Sequence, residues 1–139
     1  MKVVCLHRKL TKEMVKKLGL SESASEFEYD LEISKKYTVL SISQNCEDNS
    51  NYNNYRTSKY PEIGIDNGFG LHFVPLYMFQ VIDDRVSSYW HVKFDEKTKW
   101  LSMKPELFYE EFFYDDYTND FPNIVEKYES TLSLLENEF

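Results

Sequence analysis

Runs of alternating apolar and polar residues occupy most of the chain before residue 104, and a helical period replaces them from Pro105 onward. KVVCLH, residues 2–7, predicts a short buried strand. LTKEMVKKLGL predicts a short helix: Thr11 caps it, Leu10, Met14, Val15 and Leu18 share a face, and Gly19 stops it. SESASEFEYD reads as a polar connector. LEISKKYTVLSIS predicts one strand entered through a turn at 34–36, with Tyr37, Val39 and Ser41 alternating with Thr38, Leu40 and Ile42. The Asn- and Ser-rich stretch 43–60 predicts a long mobile loop.

EIGIDNGFGLHFVP predicts a β-hairpin, with Asn67-Gly68 in a type I′ turn. Its GFG lacks a following helix, so no phosphate loop is expected. A tight turn after Pro75 and a strand through Val81 follow, then a strand with Trp90, Val92 and Phe94 on one face, a turn at DEKTK and a return at WLSM. PELFYEEFFYDDY predicts a helix with Pro in its first turn. Phe108, Tyr109, Phe112 and Phe113 form its core stripe, and Tyr114 and Tyr117 fall among the carboxylates. Asp120 or Phe121 opens a second helix, whose stripe is Ile124, Val125, Tyr128, Leu132 and Leu135. The expected fold is α+β in one domain, 1–139, with strands mainly in 1–7 and 31–103 and helices in 105–137. Its centre is a small antiparallel, partly open SH3-like barrel or curved sheet.

Charge changes this picture more than composition does. Residues 1–100 hold 14 acids and 14 bases, whereas 101–139 hold 10 acids and only Lys104 and Lys127. The whole formal charge of −8 therefore lies in the C-terminal piece. An acidic face repels phosphate and attracts a basic protein surface, so nucleic acid is not an expected ligand. An aromatic content of 17% argues for a packed core. No apolar run is long enough to span a bilayer, and no signal segment is read at the N-terminus, so a cytoplasmic location is expected.

The residues that carry chemistry are dispersed. Cys5 and Cys46 stand alone, which argues against a disulfide framework or a zinc site. His7, His72 and His91 show no metal-ligand spacing, and no acid is placed to orient a Cys5–His7 pair. No catalytic residue, cofactor or metal is expected.

The order LEISKKYTVLSI…YPEIGIDNGFGLHFVPLYMFQVIDDR, residues 31–85, is similar to SH3-like barrel proteins of phages and bacteria. With SSYW and the PELFYEEFFYDDY helix, it resembles immunity proteins of bacterial contact-dependent growth inhibition and related polymorphic toxin systems. That resemblance implies a non-catalytic cytoplasmic inhibitor that binds the C-terminal domain of one cognate toxin, often a nuclease. Nucleases are basic around their active sites. The expected contact surface is therefore Glu110, Glu111, Tyr114, Asp115, Asp116, Tyr117 and Asp120, acids for steering and tyrosines as anchors. The alternative is an SH3-like interaction module of a phage or mobile element, with Tyr60 and Tyr77 lining its groove.

Overall fold

The computed structural model describes residues 1–46 and 60–139. The architecture is α+β: two open antiparallel sheets carry a few helices, and no barrel closes among the described residues. The smaller sheet has the order β2-β1-β6, from β2 (Lys36–Thr38), β1 (Lys2–Cys5) and β6 (Phe79–Asp83). The larger has the order β5-β4-β3-β8-β7, from β5 (Leu71–Pro75), β4 (Glu62–Asp66), β3 (Ser41–Asn45), β8 (Trp100–Pro105) and β7 (Trp90–Asp95). Three helices complete it: α1 (Lys12–Lys17), α2 (Phe113–Thr118) and α3 (Pro122–Asn137). Among the described residues no helix is long and apolar enough to cross a membrane.

The N-terminal elements form as their residues dictate. Thr11 Oγ1 accepts the Met14 amide at 3.1 Å to cap α1, and Gly19 takes the left-handed φ of 64° just beyond it. Cys5 is fully buried in β1, and burial raises the pKa of its thiol. The polar connector contains a 3-10 turn, Glu22–Ser25.

The single strand expected through residues 36–42 is two strands in different sheets. Val39 and Leu40 are both buried, which one flat strand cannot do for neighbours when one of its faces is exposed. The chain bends between them. The Val39 amide donates to the Met1 carbonyl of the smaller sheet, and the Leu40 amide donates to Gly64 of the larger one. Residues 43–45, expected in a mobile loop, belong to β3, and 47–59 of that loop lie outside the described residues.

The hairpin β4–β5 is present, with Glu62 opposite Pro75 and Asp66 opposite Leu71. Its turn is not type I′. Four residues make the connection, and positive φ falls on Gly68 (98°) and Gly70 (127°), not on Asn67. Asn67 is buried and ties the hairpin to a neighbouring segment: its Nδ2 donates to Asp30 O at 3.2 Å and to Asp30 Oδ2 at 3.1 Å. That tertiary bond outweighs the local Asn-Gly preference. Buried side chains of both sheets, α1, α2 and α3 form one continuous core.

The C-terminal helix expected from Glu106 does not run straight. Residues Glu106–Tyr109 make a 3-10 turn, the chain breaks at 110–112, and α2 starts at Phe113. In an unbroken helix Phe108 and Phe113 would sit about 140° apart around the axis. The break lets both bury and stack, with ring centroids 4.9 Å apart. The helix beyond is α3, with Pro122 in its first turn and Ile124, Tyr128 and Leu135 buried.

Candidate functional site

Residues 105–121 form an aromatic layer over one face of the larger sheet, with an acidic rim outside it. Phe113 lies at the centre of the layer: Phe108 stacks on one side, Tyr114 meets it edge-on at 5.0 Å, and Tyr117 stacks at 5.9 Å. Tyr128 of α3 closes the layer 4.5 Å from Tyr117, and Phe73 of β5 reaches Tyr114 at 5.6 Å. Offset and edge-on ring pairs favour this arrangement beyond the area they bury.

Each tyrosine hydroxyl in the layer has a partner. Tyr117 Oη accepts the Leu71 amide at 3.3 Å. A Cβ at Gly70 would lie 2.7 Å from that oxygen, so the hairpin turn is glycine where α2 docks on it. Tyr128 donates to Asp66 Oδ2 at 2.7 Å. Tyr109 donates to the His91 carbonyl at 2.8 Å. Tyr114 Oη accepts from Lys104 Nζ at 3.2 Å, and burial pushes the pKa of Tyr114 up to about 12.

This corrects the expected roles of the aromatic residues. Tyr114 and Tyr117, expected among the carboxylates on the surface, are half-buried and pack against the core layer. Phe112, expected in the core stripe, is the exposed ring: 63% of it is accessible. No sequence pattern marked it, because the break at 110–112 turns it outward. Its backbone is left-handed, with φ 62°. That conformation costs a residue with a Cβ roughly 1–2 kcal/mol.

The acids stand where the sequence put them, on the outside. Glu110, Glu111, Asp115 and Asp120 are exposed and Asp116 is half-exposed. Glu110 is paired with Lys127 at 3.7 Å, and the nearby Glu106 with Lys93 at 3.3 Å. Among the described residues no cation lies within ion-pair distance of Glu111, Asp115, Asp116 or Asp120. These four uncompensated carboxylates surround Phe112 in sequence. A cleft of about 590 Å³ lies between the 3-10 turn and α3, lined by Glu106, Leu107, Glu110, Glu126 and Lys127. Phe69, 88% exposed, tips the hairpin that Tyr117 binds, and Phe121 is exposed where α3 begins.

A second, smaller cleft of about 210 Å³ holds Ser41, Ser43, Glu62, Phe73, Trp100, Lys104 and Tyr114. Lys104 is the one cation among the described residues that line it. Burial lowers the pKa of Lys104, and the neighbouring Lys93 lowers it further. The rings of Tyr109 and Tyr114, 4.6 and 5.2 Å from the ammonium, stand in for a counter-ion. Lys104 thereby ties β8 to the aromatic layer.

Elsewhere the titratable groups serve the fold. His72 Nδ1 lies 2.9 Å from the Gly70 carbonyl, and His91 lies 3.9 Å from Glu106. Cys5 Sγ donates to the His7 carbonyl at 3.3 Å, so it points to backbone and not to an imidazole base. Among the described residues no group of three or more His, Cys, Asp or Glu side chains is placed to hold a metal ion. Tyr60 and Tyr77 differ in setting: Tyr77 is exposed, while Tyr60 is half-buried and hydrogen-bonded with Tyr29.

Comparison with protein-family models, curated proteins and solved structures finds no match to this chain.

Proposed function

We propose that this chain is a non-catalytic cytoplasmic binding protein whose acidic C-terminal surface docks on a basic protein, and that it neutralises a cognate toxin domain as an immunity protein does. The observation that carries the reading is Phe112. A bulky ring is held exposed in a strained backbone, and near it in sequence are four carboxylates that no cation among the described residues pairs. Strain of this kind is retained where a surface has work to do. An aromatic anchor inside an acidic rim suits a basic partner: the ring supplies desolvated contact, and the carboxylates steer association and exclude wrong partners. The resemblance to immunity proteins supplies the class of partner, and a nuclease domain has the required positive field.

The experiment is co-expression with the C-terminal domain encoded by the adjacent upstream gene, followed by affinity measurement across a salt series. Growth rescue with binding that weakens as salt rises is the expected result. Lys at both Asp115 and Asp116 should slow association and weaken binding about tenfold or more, with the thermal midpoint unchanged. Phe112→Gly separates stability from function. It should raise stability by about 1 kcal/mol, because glycine accepts the left-handed backbone. It should also weaken toxin binding by roughly 30-fold, as expected of a lost hot spot worth about 2 kcal/mol. A variant that gains stability and keeps full affinity would remove Phe112 from the interface. No rescue and no binding would leave the acidic rim as a solvated face.

A further inference from the structure

A second exposed feature lies away from the acidic surface, at the opposite edge of the larger sheet from β5. Among the described residues β7 pairs only with β8, so no described strand partners its outer edge. Five of its six residues are exposed. Val92 and Phe94 are 66% and 50% accessible, and they share a face with Met103 and Leu101, their partners on β8. Ile42, opposite Met103 on β3, extends the same half-covered apolar strip. The other face of β7 carries His91, Lys93 and Asp95.

The order of charges along this edge is self-complementary. Lys93-Phe94-Asp95 reads positive, apolar, negative. A second copy running antiparallel about a two-fold axis at Phe94 presents the same three residues reversed. Each Lys93 then faces an Asp95, and the two Phe94 rings face each other. The neighbouring registers lack this match. Centred on Lys93, the pairing sets lysine against lysine; centred on Val92, it sets His91 against Lys93.

We propose that β7 is a dimerisation edge, through which two copies of this chain pair antiparallel around Phe94 to make one continuous ten-stranded sheet. The interface is isologous, each copy using the same residues. Asp95 is held in place for it: Oδ1 accepts the Lys97 and Thr98 amides at 2.8 and 3.0 Å, which fixes the carboxylate at the end of the strand. Lys93 reaches Glu106 at 3.3 Å and retains further N–H donors. Glu106, the Tyr109 ring at 4.0 Å, His91 and the like-charged Lys104 are the titratable groups around Lys93. Since β7 ends at Asp95, the overlap is short and the dimer is weak.

Sedimentation equilibrium over a concentration series up to about 1 mM tests this. The mass should climb toward twice the monomer's and fall back as salt is added. Lys93→Asp sets two carboxylates against each other and should raise the concentration needed for association at least tenfold, with an unchanged far-UV spectrum. Register is tested by oxidation in a Cys46→Ser background, which removes the exposed native thiol. Phe94→Cys places two thiols directly opposite each other and should give a disulfide-linked dimer, whereas Val92→Cys should not. A monomer at every concentration, association that survives Lys93→Asp, or equal cross-linking at both positions would overturn the proposal. None of these readouts involves the toxin, so the dimer and the inhibitor reading fail separately.

Discussion

Phe113→Ala should lower the free energy of unfolding by about 3–5 kcal/mol, the range for removing a fully buried ring. The ring is 1% accessible and contacts three others, Phe108, Tyr114 and Tyr117. Its neighbours cannot collapse into the gap. Tyr117 is held by the Leu71 amide, Tyr114 by Lys104, and Phe108 by Tyr128 at 6.2 Å. A cavity that cannot close loses both the transfer energy and the contacts on every side. Urea unfolding of the two proteins measures the difference. A loss under about 1 kcal/mol would mean that the layer repacks freely, contrary to its bonded tyrosines. Phe112→Ala is the internal comparison. The two phenylalanines are adjacent in sequence, yet only Phe113 should matter for stability, because Phe112 is already in water.

Tyr128→Phe should cost about 1.5–3 kcal/mol at neutral pH, the range for a hydrogen bond to a charged group. The hydroxyl donates to Asp66, whose other oxygen accepts the Gly68 amide at 2.7 Å. Removing the phenol leaves a half-buried carboxylate one donor short. The same group makes stability pH-dependent. Burial first, then Asp66, holds the Tyr128 hydroxyl well above its ordinary pKa of 10.0. Burial does the same to Tyr114, raised to about 12. The folded state therefore holds these protons more tightly than the unfolded chain. Their contribution is complete below pH 10 and is lost as the pH rises through 10 toward the folded values. Lys104 acts with the opposite sign: its lowered pKa makes protonation unfavourable in the fold, and that penalty is relieved as the pH approaches 10.5. Tyr29 and Tyr60 are shifted upward as well, so four tyrosines act against one lysine and net stability should decline above pH 10. Tyr128→Phe should flatten that decline. Parallel wild-type and Tyr128→Phe curves between pH 8 and 11 would show that the alkaline loss arises elsewhere.

The acidic C-terminal surface and the aromatic layer share seventeen residues of chain, and they were legible to different degrees. Composition placed the carboxylates outside, because a charged group leaves water only at high cost. Periodicity found the rings but assigned them wrongly. A 3.6-residue count assumes an unbroken helix, and the chain breaks at 110–112, where stacking Phe108 on Phe113 buries both rings. The error put Phe112 in the core and missed the packing of Tyr114 and Tyr117 against it. A single positive φ has no period to detect. Gly70 gives a hint only in retrospect, as the glycine that admits Tyr117.

By itself the sequence determined the α+β class, the short capped helix at Thr11, the hairpin around Asn67, the strand at Trp90 and the terminal helix from Pro122. Each of these rests on bonds or periodicities confined to a few neighbouring residues. The tertiary structure alone decided where residues 36–45 divide between two sheets, since Val39 and Leu40 find their partners at Met1 and Gly64. It decided that Asn67 bonds Asp30 instead of closing a type I′ turn. It also left the face of Val92 and Phe94 uncovered by the other described elements. All three outcomes depend on groups tens of residues distant in the chain. Local pattern fixes what an element can be, and only the packed partners select the face it turns inward.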